Sequence, residues 1–389
     1  MTNLPAQTPN GNRNGEASPA QPIDILLVGL GSIGSVYAYL LERSGRARVT
    51  AVARSNYELY TTTGVTLHTD RFGIIERWKP YRVFRSQNEA LADGTHYALG
   101  LVCTKCVPDV LPNTELLADS IASGQIGAWN LVQNGLGIEE DLYQAVKEQG
   151  TPVLSSPAWI GIVSEGDVVR WRGKDTLVTG IYPPLPAKSP RDALTRVFTK
   201  REKESLALWT DLLSAGEGYV HTTDHIDSVR YSKNVWNCAW ASVQGLVRHT
   251  ALSFSYLDPA EAQMVKAFFR EIVDVGFEGG LLYEGMVQYP AGDLMGSRED
   301  VVDRAWDILT STARERGIGH KYSLLLDVEL GRPFEVEVIT GSVLRLAQAN
   351  GMSTPRLELV YALLKTLQGE IVRQRSGQGM KEVVKPGMV

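Results

Sequence analysis

Residues 24–41 read Asp-Ile-Leu-Leu-Val-Gly-Leu-Gly-Ser-Ile-Gly-Ser-Val-Tyr-Ala-Tyr-Leu-Leu. Ile25 to Val28 is a short apolar run of strand type. Gly29, Gly31 and Gly34 then stand at the G-x-G-x-x-G spacing, and a helical pattern follows at once. This is the layout of a dinucleotide-binding turn: Gly29 lets the chain reverse tightly, Gly31 lets the backbone approach a pyrophosphate, and Gly34 lets the helix lie close to the strand. The helix N-terminus, where Ser32 and Ile33 lie, then faces the phosphates. Three glycines at this spacing say little alone; their place between a strand and a helix carries the reading. The uncharged run 25–41 approaches the roughly 20 apolar residues of a membrane span. However, three glycines and two serines in its first half would waste helix stability, and no other apolar stretch of similar length exists to build a bundle, so no membrane is expected as a partner.

A chain of 389 residues is too long for one ordinary core and predicts two domains. With 43% hydrophobic and 21% charged residues it can bury a large core. A net charge of -5 gives no basic field for a nucleic-acid backbone or an anionic membrane, so nucleic acid is also excluded as a partner. Residues 1–21 are rich in Asn, Gln, Pro, Gly and Ala and aperiodic, which predicts a disordered tail. They lack the apolar core of a secretory signal and the repeated arginines of a transit peptide, so cytoplasmic residence is the expectation. Residues 376–389 read as a second loose tail. Three cysteines argue against a disulfide framework. Cys103 and Cys106 form a C-x-x-C, readable as a redox or zinc pair or, more plainly, as two small apolar residues ending a strand.

Gly45 predicts a left-handed helix cap, and Ala47 to Ala53 a second strand. Arg54 follows at its tip, about 20 residues beyond Gly34, where an acidic residue would accept from a ribose hydroxyl and an arginine accommodates a 2′-phosphate. This predicts NADP (NADPH) rather than NAD as cofactor, against the plain reading of a solvated arginine. Tyr97 to Thr104 and Gly127 to Val132 read as buried strands. Lys105 and Asn134 stand just beyond their carboxyl ends, where ligands gather in open α/β sheets, although Asn134-Gly135 is also an ordinary turn dipeptide. Pro152 to Ile162 predicts a further strand, and Asp167 to Trp171 with Thr176 to Ile181 a hairpin turning at Gly173. The prolines from Pro183 to Pro190 predict a surface excursion near the domain junction. Beyond them the pattern is helical, with starts at Asp258-Pro259-Ala260-Glu261, Ser297 to Asp300 and Thr354-Pro355. His221 to Asp227, with two histidines four apart and two aspartates, is read as a helix start rather than a metal site. The fold class is therefore α/β: a Rossmann-type dinucleotide-binding domain over residues 22–200, then an all-helical substrate domain over 201–375.

Lys233 and Asn237 are four apart, so on a helix they share a face and can meet one ligand. With the glycine turn, Thr104-Lys105, Gln133 to Gly137, Ser323 to Asp327 and Phe334 to Gly341, this segment resembles the ketopantoate reductase (2-dehydropantoate 2-reductase) family, over roughly residues 23–367. What the resemblance implies is an NADPH-dependent reductase of pantothenate biosynthesis. Lys233 would be its general acid and Glu335 the carboxylate beside that lysine, Asn237 and Ser323 would contact substrate, and Lys105 and Asn134 would lie on the cofactor side; the residues themselves, with no second Cys/His pair of ligand spacing, predict no metal. Where the family has a second asparagine eight residues after the lysine, this chain has Ala241, and Trp236 and Trp240 are bulky; the substrate's identity is affected more than the chemistry.

That chemistry is coherent on its own terms. Hydride delivery to a ketone builds negative charge on the carbonyl oxygen, which an ammonium within about 3 Å stabilises and then protonates. The expected partner is a small keto substrate, a 2-oxo acid or related ketone; a homodimer stays open. Two alternatives remain: a specialised ketone or imine reductase of secondary metabolism on the same fold, and a catalytically silent NADP-binding regulator.

Overall fold

The computed structural model of the chain describes residues 21–185, 196–285, 287–288 and 295–378. The expected disordered tail and most of both the proline-rich excursion and the C-terminal tail lie outside the described residues. The described strands of the first half are β1 (Ile23–Val28), β2 (Ala47–Val52), β3 (Val65–Thr69), β4 (Gly73–Trp78), β5 (Arg82–Phe84), β6 (Leu99–Val102), β7 (Trp129–Leu131), β8 (Val153–Ser155), β9 (Ala158–Glu165) and β10 (Val168–Tyr182), with β11 (Tyr219–Thr223) added later. The sheet runs β4-β3-β10-β8-β7-β6-β1-β2-β5, and β9 and β11 also pair with β10. From β8 to β5 every pairing is parallel. Ile25, Leu26 and Leu27 are fully buried because helices cover both faces of this parallel core. The dinucleotide turn forms as the glycines require. Gly29 has φ +104, and a Cβ on Gly34 would lie 2.2 Å from the Gly29 carbonyl oxygen, so the helix Ser32–Arg43 rests directly on the end of β1.

Three sequence expectations need correction. Pro152 to Ile162 is two strands, because Pro157 has no N–H to donate and the chain changes partners there, from β7 and β10 to the first half of β10. The hairpin turns at Gly166 (φ +61), between β9 and β10, whereas Gly173 (φ +67) bends one continuous strand. Its N–H is held by the Asp70 carboxylate at 2.8 Å, so the kink that reads as a turn is absorbed inside β10. His221 to Thr223 is strand β11 rather than helix, since Thr176 to Gly180 of β10 offers an edge to it; the helix starts only at Ile226. β11 extends the same sheet, and the helix Lys200–Ala215 packs on it, its Trp209 indole donating to Thr179 on β10.

From Ile226 on the described chain is helical, apart from two-residue strands at Val287–Gln288 and Met295–Gly296. The start at Asp258 is a full capping box with Glu261, and Pro355 opens the helix Pro355–Arg375. Two helices widen into π turns, at Asn237–Ala241 and Glu337–Gly341. Tyr231, Val235 and Trp236 of the helix Ile226–Trp236 share one apolar cluster with Val102, Leu131 and Val153 of the sheet, so the helical half is cemented to one sheet face, near the carboxyl ends of β6 to β8. No helix among the described residues is long and apolar enough to cross a membrane.

The glycine turn yields a paired expectation. Gly34→Ala forces a Cβ into the Gly29 carbonyl and is expected to cost about 1–3 kcal/mol. Gly31, beside which a Cβ meets nothing within 4 Å, is expected to tolerate alanine within about 0.5 kcal/mol. Urea unfolding of both variants checks this; equal losses would contradict the packing.

Candidate active site

Beyond β7 the backbone carbonyls of Gln133 and Gly135 have no strand to pair with, while the Leu131 carbonyl, at the end of β7, already accepts from the Ser156 N–H at 2.9 Å and has a second lone pair free. The helix Ile226–Trp236 answers with one guanidinium. Arg230 is 3% exposed; its Nη1 donates to the carbonyls of Gln133 (2.8 Å) and Gly135 (3.2 Å), its Nη2 to Leu131 (3.1 Å), and its Nε to Ser155 Oγ (2.6 Å). The fully buried Glu139 carboxylate lies 2.5 Å from Nε and balances the charge. Next to these clamped carbonyls, the Leu136 N–H donates to the carbonyl of Val338 at 2.8 Å, and Gly135 (φ +101) abuts Val338 so closely that a Cβ would overlap it.

Lys233 lies one turn after Arg230. Its ammonium donates to Asn134 Oδ1 at 2.6 Å and stands 5.7 Å from the centre of the Trp159 ring, which β9 brings across from the sheet. Burial, reinforced by the neighbouring Arg230 charge and only partly opposed by Glu335, pulls the Lys233 amine down to about 7.

Lys105, just past β6, has the opposite surroundings. It donates to Asp327 Oδ2 at 2.7 Å and lies 3.6 Å from Glu335 Oε2, while Glu335 Oε1 accepts from the Cys106 N–H at 3.2 Å. Burial alone would lower its ammonium, yet the two carboxylates outweigh burial and hold it above its usual value. Burial likewise keeps the Asp327 carboxyl raised despite Lys105. Glu335 is thus ion-paired with Lys105, and its influence on Lys233 acts through space. Asn237 is half-buried at the start of the first π turn, one turn past Lys233. Ser323 is exposed at the start of the helix Ser323–Glu329, one turn before Asp327.

At the glycine turn, Ser32 opens the helix next to Gly31, beside which a Cβ would meet nothing within 4 Å, and its hydroxyl meets that of Ser164 on β9 at 2.5 Å. Ile33 packs its side chain on the sheet core. Arg54 is exposed just past the tip of β2, and Asn56 Nδ2 ties this segment to the Leu30 carbonyl at 3.0 Å. Cys103 and Cys106 are free, and burial pushes both thiols well above their usual range, against a reactive thiolate pair. Among the described residues no group of three or more His, Cys, Asp or Glu side chains is arranged to hold a metal.

Two family models match this chain: "Ketopantoate reductase PanE/ApbA" over residues 25–184 and "Ketopantoate reductase PanE/ApbA C terminal" over residues 225–368. The chain belongs to the ketopantoate reductase family. Within a similar fold stand the 2-dehydropantoate 2-reductase of Methylococcus capsulatus (26% identity, 90% of this chain and 98% of that one, TM-score 0.67) and a D-mandelate dehydrogenase solved with NADH and anilino(oxo)acetate (16%, 90% and 100%, TM-score 0.65). An uncharacterized protein of Saccharomyces cerevisiae, YDL144C, is 25% identical over 378 residues, 91% of this chain and 95% of that one. For a member of this family the sequence reading left four residues unassigned: Arg230, Glu139, Asp327 and Trp159. Arg230, three residues before Lys233 on the same helix face, carried the one signal that could have been read.

Lys105→Met removes the cation between Asp327 and Glu335. The cost is expected at about 1–3 kcal/mol near pH 8, below the 3–5 of a fully buried pair because the Lys105 side chain is 42% exposed. Burial already raises the Asp327 carboxyl above its unfolded value, and without Lys105 nothing offsets that burial, so the deficit is small in acid and grows as pH rises through the Asp327 carboxyl. Thermal unfolding of variant and wild type at pH 5 and pH 8 checks the sign.

Proposed function

We propose that this chain reduces a 2-oxo acid or related ketone with hydride from NADPH, Lys233 serving as the general acid. The observation that carries this is the Lys233 ammonium, drawn down to about 7 and held by a neutral amide at the carboxyl end of β7. A general acid works best with a pKa near the working pH, and a lysine left in water, at about 10.4, would release its proton far more slowly. The chain also fits a dinucleotide: the space beside Gly31 is open, the helix N-terminus faces it, and Arg54 is exposed where a 2′-phosphate would pair with it.

Bound NADPH supplies the hydride. Lys233 stabilises the charge that builds on the carbonyl oxygen and gives it the Nζ proton, so a 2-oxo acid leaves as a 2-hydroxy acid. Asn134 orients Lys233 from the cofactor side. Lys105, kept charged by Asp327 and Glu335, adds a fixed positive charge suited to an anionic substrate. Asn237 and Ser323 contact the substrate from the helical half. Ala241 withholds one polar contact that the resemblance implies, which favours a substrate with a less polar tail than 2-dehydropantoate.

Arg54→Glu is expected to weaken NADPH binding by about 1–3 kcal/mol and NADH binding hardly at all; calorimetric titration of both cofactors decides, and equal weakening would sink the assignment. Lys233→Ala is expected to lower turnover about 10²- to 10⁴-fold with NADPH affinity nearly unchanged. In the wild type the active ammonium form is full below the lysine pKa and lost above it, so kcat/KM for ketone reduction should fall as pH rises through about 7 rather than near 10. A flat profile between pH 6 and 9 would remove Lys233 from the role.

A further inference from the structure

Asn134, which accepts from Lys233, lies between two residues, Gln133 and Gly135, whose carbonyls are both held by the same Nη1 of Arg230. Arg230 and Lys233 are three apart on one helix face, so a single helical turn grips the segment twice, by its backbone and by its amide. The guanidinium is planar and presents five N–H groups in a fixed fork, and here it addresses acceptors on Leu131, Gln133, Gly135, Ser155 and Glu139. A point-charge ammonium could reach one or two of these at most. The partners come from the ends of β7 and β8 and from the loop after Gly137, so the contact also fixes how the helical half sits on the sheet.

We infer that Arg230, neutralised by Glu139, is a positioning residue of the proposed reductase: it seats the Gln133–Leu136 segment on the helix Ile226–Trp236 and so holds Asn134 Oδ1 against the Lys233 ammonium. The inference rests on the proposed function only for its kinetic readout. Loss of the fork frees the segment, water enters beside Lys233, and the lysine titrates higher. The charged groups around this pair are Arg230 and Asp227 on the same helix, Glu139 from the loop after Gly137, and Glu335 with its partners Lys105 and Asp327 from the segments packed against it.

The experiment uses the full chain and two variants, Arg230→Lys and the double variant Arg230→Met with Glu139→Leu, the latter leaving no buried charge unpaired. Trace labelling of the Lys233 amine with acetic anhydride, followed by mass spectrometry across pH, gives its midpoint without any substrate. The expected midpoint is about 7 in wild type and higher in both variants, by about one pH unit in the double variant. With the best 2-oxo acid found, kcat should fall about ten- to a hundredfold in both, with a smaller change in KM. Arg230→Lys is the informative variant if the double variant does not fold. A folded variant of either kind that keeps the Lys233 midpoint and keeps kcat within about threefold overturns the inference and leaves Arg230 a purely structural clamp. If no carbonyl compound is turned over even by wild type, the proposed function fails, and the labelling midpoints alone still decide the positioning role.

Discussion

Backbone carbonyls that leave the last rung of a buried parallel sheet must find donors, and those of Gln133 and Gly135 belong to buried residues beyond β7. One guanidinium meets both and adds a second donor to the Leu131 carbonyl, which already accepts from the Ser156 N–H. Because that guanidinium is charged and 3% exposed, it requires a counter-ion in the same dry place, and Glu139 supplies it at 2.5 Å. The helix bearing Arg230 is thereby fixed on the strand ends, and its next turn must bring Lys233 into the same low-dielectric region. The Arg230 contact thus joins the apolar cluster in docking the two halves, and its charge adds to the burial that lowers Lys233.

Lys105 and Lys233 show how surroundings divide roles between like groups. Lys105 faces two carboxylates, which hold its charge firmly; Lys233 faces a neutral amide, an aromatic ring and a second cation. The first is therefore suited to remain an ammonium throughout a reaction and the second to part with a proton. Environments that push the pKa values of paired groups apart are how one site assigns a fixed charge and a proton donor.

Much of this was legible in the sequence because it was local. The glycine turn, the parallel strands it begins and the cap at Asp258 each depend on residues a few positions apart, where sterics and hydrogen bonding act without knowledge of the fold. The pairs that organise the site span 222 residues for Lys105 with Asp327, 99 for Lys233 with Asn134 and 97 for Arg230 with Gln133. No periodicity records such partners. Strands β3, β4, β5 and β11 were not read at all. β4 and β11, exposed along much of their length, lack the continuous apolar run that marks a doubly covered strand. Gly173 shows the converse failure: the sequence places the hairpin turn there, but this glycine takes its positive φ inside a continuous strand, and the turn falls at Gly166.

Helical spacing is a safe guide only while the helix stays α. From Asn237 to Ala241 the turn is of π type, so each added residue advances less around the axis, and Trp240, seven residues after Lys233, is turned off the line that Lys233 sets. Trp240 accordingly enters the helical core, stacked on Trp306 at 5.3 Å and edge-on to Phe254 and Phe269, while Ala241 is 2% exposed among packed helices. The bulk that the sequence places around Lys233 on its own helix is thus spent on packing. The aromatic surface that does stand beside the ammonium belongs to Trp159, at the start of the β9 strand whose Ser164 meets Ser32 at the dinucleotide turn. One strand of the sheet half therefore touches both places, placing Ser164 against the helix N-terminus and Trp159 against Lys233, and so ties the two parts of the site more directly than the residues neighbouring Lys233 in sequence do.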